Sequence, residues 1–60
     1  MDVGKEYLVV YKDDRGVTRT KVLKFVKADS FLYHFYNPWK NLEEGIKRDN
    51  VFRYEEAVSK

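Results

Sequence analysis

Sixty residues with a net charge of +2 make one domain at most, spanning residues 1–60. Such a chain buries only about 60% of the surface that its unfolded form exposes. The absence of cysteine excludes disulfides and thiolate metal sites, and a single histidine argues against zinc.

Five tyrosines, four phenylalanines and one tryptophan are then the visible means of filling a small core, since each ring can bury about 150–250 Å². The longest apolar run, Tyr7-Leu8-Val9-Val10-Tyr11, is too short to cross a bilayer. The first residues lack the apolar stretch of a signal peptide. With no cysteine, these features point to a cytoplasmic protein without membrane attachment.

In chain order, residues 7–11 are rich in β-branched and aromatic side chains and read as a strand. Lys12-Asp13-Asp14-Arg15-Gly16 supplies the Asp and Gly of a hairpin turn. Residues 17–27 form the return strand, with Thr18, Thr20 and Val22 alternating with Arg19 and Lys21. The alternation then shifts at the adjacent pairs Val22-Leu23 and Phe25-Val26, which predicts a bulge or bend near residues 22–24 that curls the sheet toward closure. A helix over residues 18–35 fits part of the apolar spacing but is opposed by the density of Val, Thr, Phe and Tyr.

Ala28-Asp29-Ser30 reads as a second turn, and residues 31–36 as a third strand. Phe31, Tyr33 and Phe35 lie on one face, and Leu32, His34 and Tyr36 on the other. Asn37-Pro38 ends this strand, because proline donates no ladder hydrogen bond. Two readings follow. Asn37 as N-cap, Pro38 at the first helical position and Gly45 as stop would give one short helical turn near residues 38–44. Otherwise an irregular loop leads to a short strand over residues 44–48. Asp49-Asn50 is a tight turn. Residues 51–55 are the last strand, with Val51 and Arg53 on one face and Phe52 and Tyr54 on the other; the final residues are expected to fray. Most of Phe25, Phe31, Phe35, Val51 and Phe52 should be core.

Five short strands with a tight turn before the last resemble an SH3-like small barrel. The segment from Glu44-Gly45-Ile46 through Arg48-Asp49-Asn50-Val51 to Tyr54-Glu55 is the nearest local match. The chain also resembles the Sm-like barrel core of WYL domains, ligand- or nucleic-acid-sensing modules of bacterial regulators. That likeness rests on Tyr11-Lys12-Asp13-Asp14-Arg15-Gly16, Phe31-Leu32-Tyr33 and Arg48-Asp49-Asn50-Val51; the Trp-Tyr-Leu tripeptide that names the family is absent. Both resemblances imply an all-β, five-stranded SH3-like barrel.

Nothing in the sequence assembles catalytic chemistry. His34 has no nucleophile and orienting partner placed beside it, and the neighbouring acids Asp13-Asp14 and Glu43-Glu44 read as solvated turn pairs. No glycine-rich phosphate loop exists, and no cofactor is implied. Binding is the expected role.

Residues 15–28 carry Arg15, Arg19, Lys21, Lys24 and Lys27 and no acidic side chain. Arg19 and Lys21 share a strand face; Lys27 joins them if the bend restores the register, and Lys24 only through the bulge. Tyr33, Tyr36 and Trp39 follow closely, and Arg53 lies in the last strand. Base beside aromatic suits a nucleic acid, with lysines and arginines tracking phosphates and rings stacking on bases. The other class is a protein-interaction module, such as a small bacterial or phage regulator. It would dock through Trp39 and Tyr36 or by pairing an edge strand, homodimerisation included.

Overall fold

The computed structural model describes residues 1–57. Strand β1 (Glu6–Lys12) buries Tyr7, Val9 and Tyr11 and leaves Glu6 and Lys12 exposed, the period of two that a half-buried strand requires. Its hairpin to β2 (Thr18–Ala28) is organised by one side chain. The Asp13 carboxylate accepts the backbone N–H groups of Arg15 and Val17 at 2.9 Å each, and Gly16 supplies the positive φ of 79° that closes the loop. Strands β3 (Leu32–Asn37), β4 (Leu42–Lys47) and β5 (Val51–Glu56) follow, with a 3₁₀ turn at Arg48–Asn50 between the last two.

All five strands form one antiparallel sheet in the order β4-β3-β2-β1-β5. The fold is all-β and barrel-like but not closed: among the described residues no ladder joins β4 to β5. The core lies on the inner face. Val9, Leu23 and Phe35 are fully buried, and Tyr7, Tyr11, Phe25 and Ile46 nearly so. Burying a side chain such as Leu23 or Phe35 contributes about 1.5–3 kcal/mol. Edge-to-face ring pairs add to this, Phe25 with Phe35 at 5.9 Å and Tyr7 with Tyr54 at 5.7 Å between centroids.

The curl comes from two bulges, neither at residues 22–24. The β1–β2 ladder runs unbroken from Glu6 opposite Lys24 to Lys12 opposite Thr18. Val22 and Leu23 are both apolar because both faces take apolar contacts there: Leu23 is buried inside, and Val22 lies half-buried outside opposite Leu8. The β2–β3 register shifts instead between Phe25 and Lys27, and the β1–β5 register between Val10 and Tyr11. The second shift leaves Phe52 as the extra residue. Val51 therefore faces inward opposite Tyr11, while Arg53 faces outward opposite Val10 and Tyr54 inward opposite Val9. The expected pairing of Val51 with Arg53 on one face is thus broken by the bulge.

Residues 38–41 form a turn rather than a helix. The N-cap signal of Asn37 is used: its side-chain oxygen accepts the N–H groups of Trp39 at 2.9 Å and Lys40 at 3.2 Å. Asn41 then adopts a φ of 54°, and the chain reverses into β4, which starts at Leu42, ahead of the expected strand.

Two rings expected in the core are outside it. Phe31 is 80% exposed and Phe52 58%. The Asp29 carboxylate accepts the N–H groups of Phe31 and Leu32 at 2.8 and 2.7 Å, which holds Phe31 in the turn, and Phe52 sits on the β5 bulge. The expected fraying of the final residues concerns 58–60, outside the described residues; before them, the Ala57 N–H donates to the Glu6 carbonyl at 2.9 Å.

Candidate functional site

Strand β2 has eleven residues and β3 six, so β3 pairs with only the second half of β2, from Lys24 to Ala28. The first half, with the β1–β2 turn, borders a cleft whose opposite wall is β4. The cleft holds about 410 Å³. Five basic side chains surround it: Lys12, Arg19, Lys21, Lys40 and Lys47. Asp13, Asp14 and Glu44 are its acids, and Tyr11, Leu32 and Ile46 its apolar floor.

Two of the bases are fixed by carboxylates. Arg19 Nε donates to Asp13 Oδ2 at 2.8 Å. That bond, with the backbone donors Val17 and Arg15, holds the Asp13 carboxyl at a pKa of about 2, below its ordinary 3.8; reciprocally, Asp13 raises the pKa of Arg19. Lys21 Nζ lies 3.5 Å from Glu44 Oε1, and Glu44 Oε2 accepts from Asn37 Nδ2 at 2.6 Å. Asn37, only 3% exposed, thereby ties the β3–β4 turn to the cleft. Lys12, Lys40 and Lys47 make no ion pair among the described residues. Directly beside Lys40 in the turn stands Trp39, 86% exposed.

The residues expected from sequence to form one surface fall in several places. Arg19 and Lys21 share the inner face and reach the cleft; Trp39 is not among its lining residues but precedes Lys40, which is. Arg15 is exposed in the hairpin turn. Lys24 and Lys27 are on the outer face, opposite Tyr36 and His34 respectively. The bulge at Val26 carries Lys27 away from Arg19 and Lys21 rather than restoring it to them.

Tyr33 is half-buried and packed inward against Phe25 and Phe35, with the Arg48 guanidinium over its ring at 5.2 Å from the centroid. Tyr36 is half-buried on the outer face, and its hydroxyl donates to Asn41 Oδ1. Arg53 is outside on β5. His34 shares a 3.1 Å hydrogen bond with Asp29; this bond and the two backbone donors hold the Asp29 carboxyl at about pKa 2. No cluster of three His, Cys, Asp or Glu side chains suited to a metal occurs among the described residues.

Lys12, Lys40 and Lys47 were missed by sequence reasoning. Lys40 adjoins Trp39 in the chain and Lys12 opens the first turn, so each had a local signal. Lys47 had none: only the coiling of the sheet brings the end of β4 opposite the first hairpin. Comparison of the chain with protein-family models, with curated protein sequences and with solved structures found no match. The site therefore rests on its geometry.

Proposed function

We propose that this chain is a small non-enzymatic binding module of the SH3-like barrel kind, and that it binds nucleic acid. The phosphodiester backbone lies in the cleft between the β1–β2 hairpin and β4, and Trp39 stacks on a base at its rim. One observation carries the reading: five basic side chains surround a single cleft, and the most exposed aromatic ring of the described residues adjoins one of them.

The carboxylates of Asp13 and Glu44 orient Arg19 and Lys21, while Lys12, Lys40 and Lys47 make no ion pair among the described residues. Each phosphate contact releases counterions, and a stacked base contributes about 1–3 kcal/mol. The strand order and the 3₁₀ turn before β5 support the barrel assignment. Among the described residues no helix is long and apolar enough to cross a membrane, and the cysteine-free composition suits a cytoplasmic setting.

The test is an amide-shift NMR titration with short single-stranded and duplex oligonucleotides, at low and then physiological salt. Saturable shifts at Lys12, Arg19, Lys21, Lys40, Lys47 and the Trp39 indole, weakening with salt, are expected. No shifts even at low salt overturn the reading.

A second reading, docking to a protein, is favoured by Phe31. This exposed ring borders a hollow of about 460 Å³ with Leu32, Lys47, Arg48 and Asp49. Phe31→Ala would then weaken the complex with a salt dependence much shallower than that of a polyanion.

A further inference from the structure

Strand β5 pairs with β1 on one side and with no strand on the other among the described residues. An unpaired edge is a template for another strand. Here it carries two exposed rings, Phe52 at 58% and Tyr54 at 45%. Its charges alternate with the rings. Arg53 and Glu55 both point to the outer face, opposite Val10 and Leu8 of β1, and both are exposed.

We propose that β5 pairs antiparallel with β5 of a second copy of this chain, about a two-fold axis normal to the sheet and centred on Tyr54. A two-fold pairing of identical strands that keeps outer faces together places one residue opposite its own copy. Centring on Arg53 sets two guanidinium groups face to face, and centring on Glu55 sets two carboxylates so. Centring on Tyr54 sets Arg53 opposite Glu55 of the second copy and Glu55 opposite its Arg53, while the two Tyr54 rings meet on the inner side. Opposite charges directly across a ladder stabilise it and like charges oppose it. The sequence Arg53-Tyr54-Glu55 is thus self-complementary in one register and self-repelling in its two neighbours.

The other free edge, β4, presents no exposed aromatic ring, and its Glu44 and Ile46 line the cleft. The Glu56 side chain is held by Lys5 of its own chain at 3.6 Å, so the pairing leaves that contact in place. The interface is independent of nucleic-acid binding.

Sedimentation equilibrium of the full chain, with Arg53→Glu, Glu55→Arg and the double swap R53E/E55R, tests the register. The wild-type chain is expected to dimerise. Each single swap sets like charges together twice and is expected to raise the dimer dissociation constant about tenfold or more, and the double swap to restore it. All four residues exchanged or facing are exposed, and amide spectra report whether each variant is folded. Hydrogen exchange of the wild-type chain gives a reading that needs no variant: β5 amides become protected as concentration rises. A wild-type chain monomeric at every concentration, single swaps without effect, a double swap that does not restore the dimer, or β5 exchange independent of concentration each overturns the proposal.

Discussion

Asn37 Nδ2 donates to Glu44 Oε2 at 2.6 Å across the β3–β4 hairpin, while the side-chain oxygen of the same Asn37 holds the backbone of Trp39 and Lys40. One buried amide thus shapes the turn that presents the indole and positions the acid that orients Lys21. Removing it leaves three groups without their partner. Asn37→Ala is expected to lower stability by about 1–3 kcal/mol and to broaden the amide resonances of Trp39 and Lys40. A urea midpoint equal to that of the wild-type chain would remove this account of the turn.

Trp39 stands apart from the core, so its removal separates binding from folding. Trp39→Ala is expected to change stability by no more than about 0.5 kcal/mol and to weaken a single-stranded oligonucleotide by about 1–3 kcal/mol. The indole is expected to be quenched by acrylamide nearly as well in the folded chain as in urea. A loss of fold on substitution would place the ring in the core and end its role in stacking.

Phe35 has the opposite character. It is fully buried and contacts the rings of Phe25 and Tyr33. Phe35→Ala is expected to cost about 3–5 kcal/mol through lost transfer and cavity energy. That is most of what a domain of this size holds, so the variant should show unfolded amide dispersion at room temperature, whereas Phe31→Ala and Phe52→Ala keep the wild-type spectrum.

Acid should loosen two turns together. Asp13 and Asp29 both have carboxyls held at about pKa 2 against an ordinary 3.8. A carboxyl depressed in the folded state contributes stability that is fully present above its unfolded pKa and is lost as pH falls through its folded one. Stability should therefore decline from about pH 4 to about pH 2 as these groups protonate. Carboxyl carbon shifts followed through this range would show both groups titrating late, and Asp13→Asn would remove its share of the decline. Midpoints near the ordinary value would contradict the Arg19 and His34 contacts.

The strands of this chain were readable because alternation is a local property. Tyr7, Val9 and Tyr11 announce a half-buried strand whatever surrounds them, and Asp13 with Gly16 announces the turn. The cap signal of Asn37 was also readable, but its outcome was not. The same side-chain acceptor starts a helix or closes a turn, and the positive φ of Asn41 with the pairing of Leu42 decided between them.

Which face each base occupies was hidden for a stronger reason. A bulge adds one residue and inverts every position beyond it: with the shift at Val26 and not at residues 22–24, Lys24 stays on the outer face, and the single inversion places Lys27 there as well. The bulge at Phe52 likewise separated Val51 from Arg53. Composition and periodicity by themselves determined an all-β domain dense in aromatic rings, with its positive charge gathered in the second strand. The coiling of the sheet alone decided that Lys12 and Lys47, thirty-five positions apart, share a cleft, because that contact depends on the sum of many small strand twists and two register shifts. No local pattern in the chain records that sum.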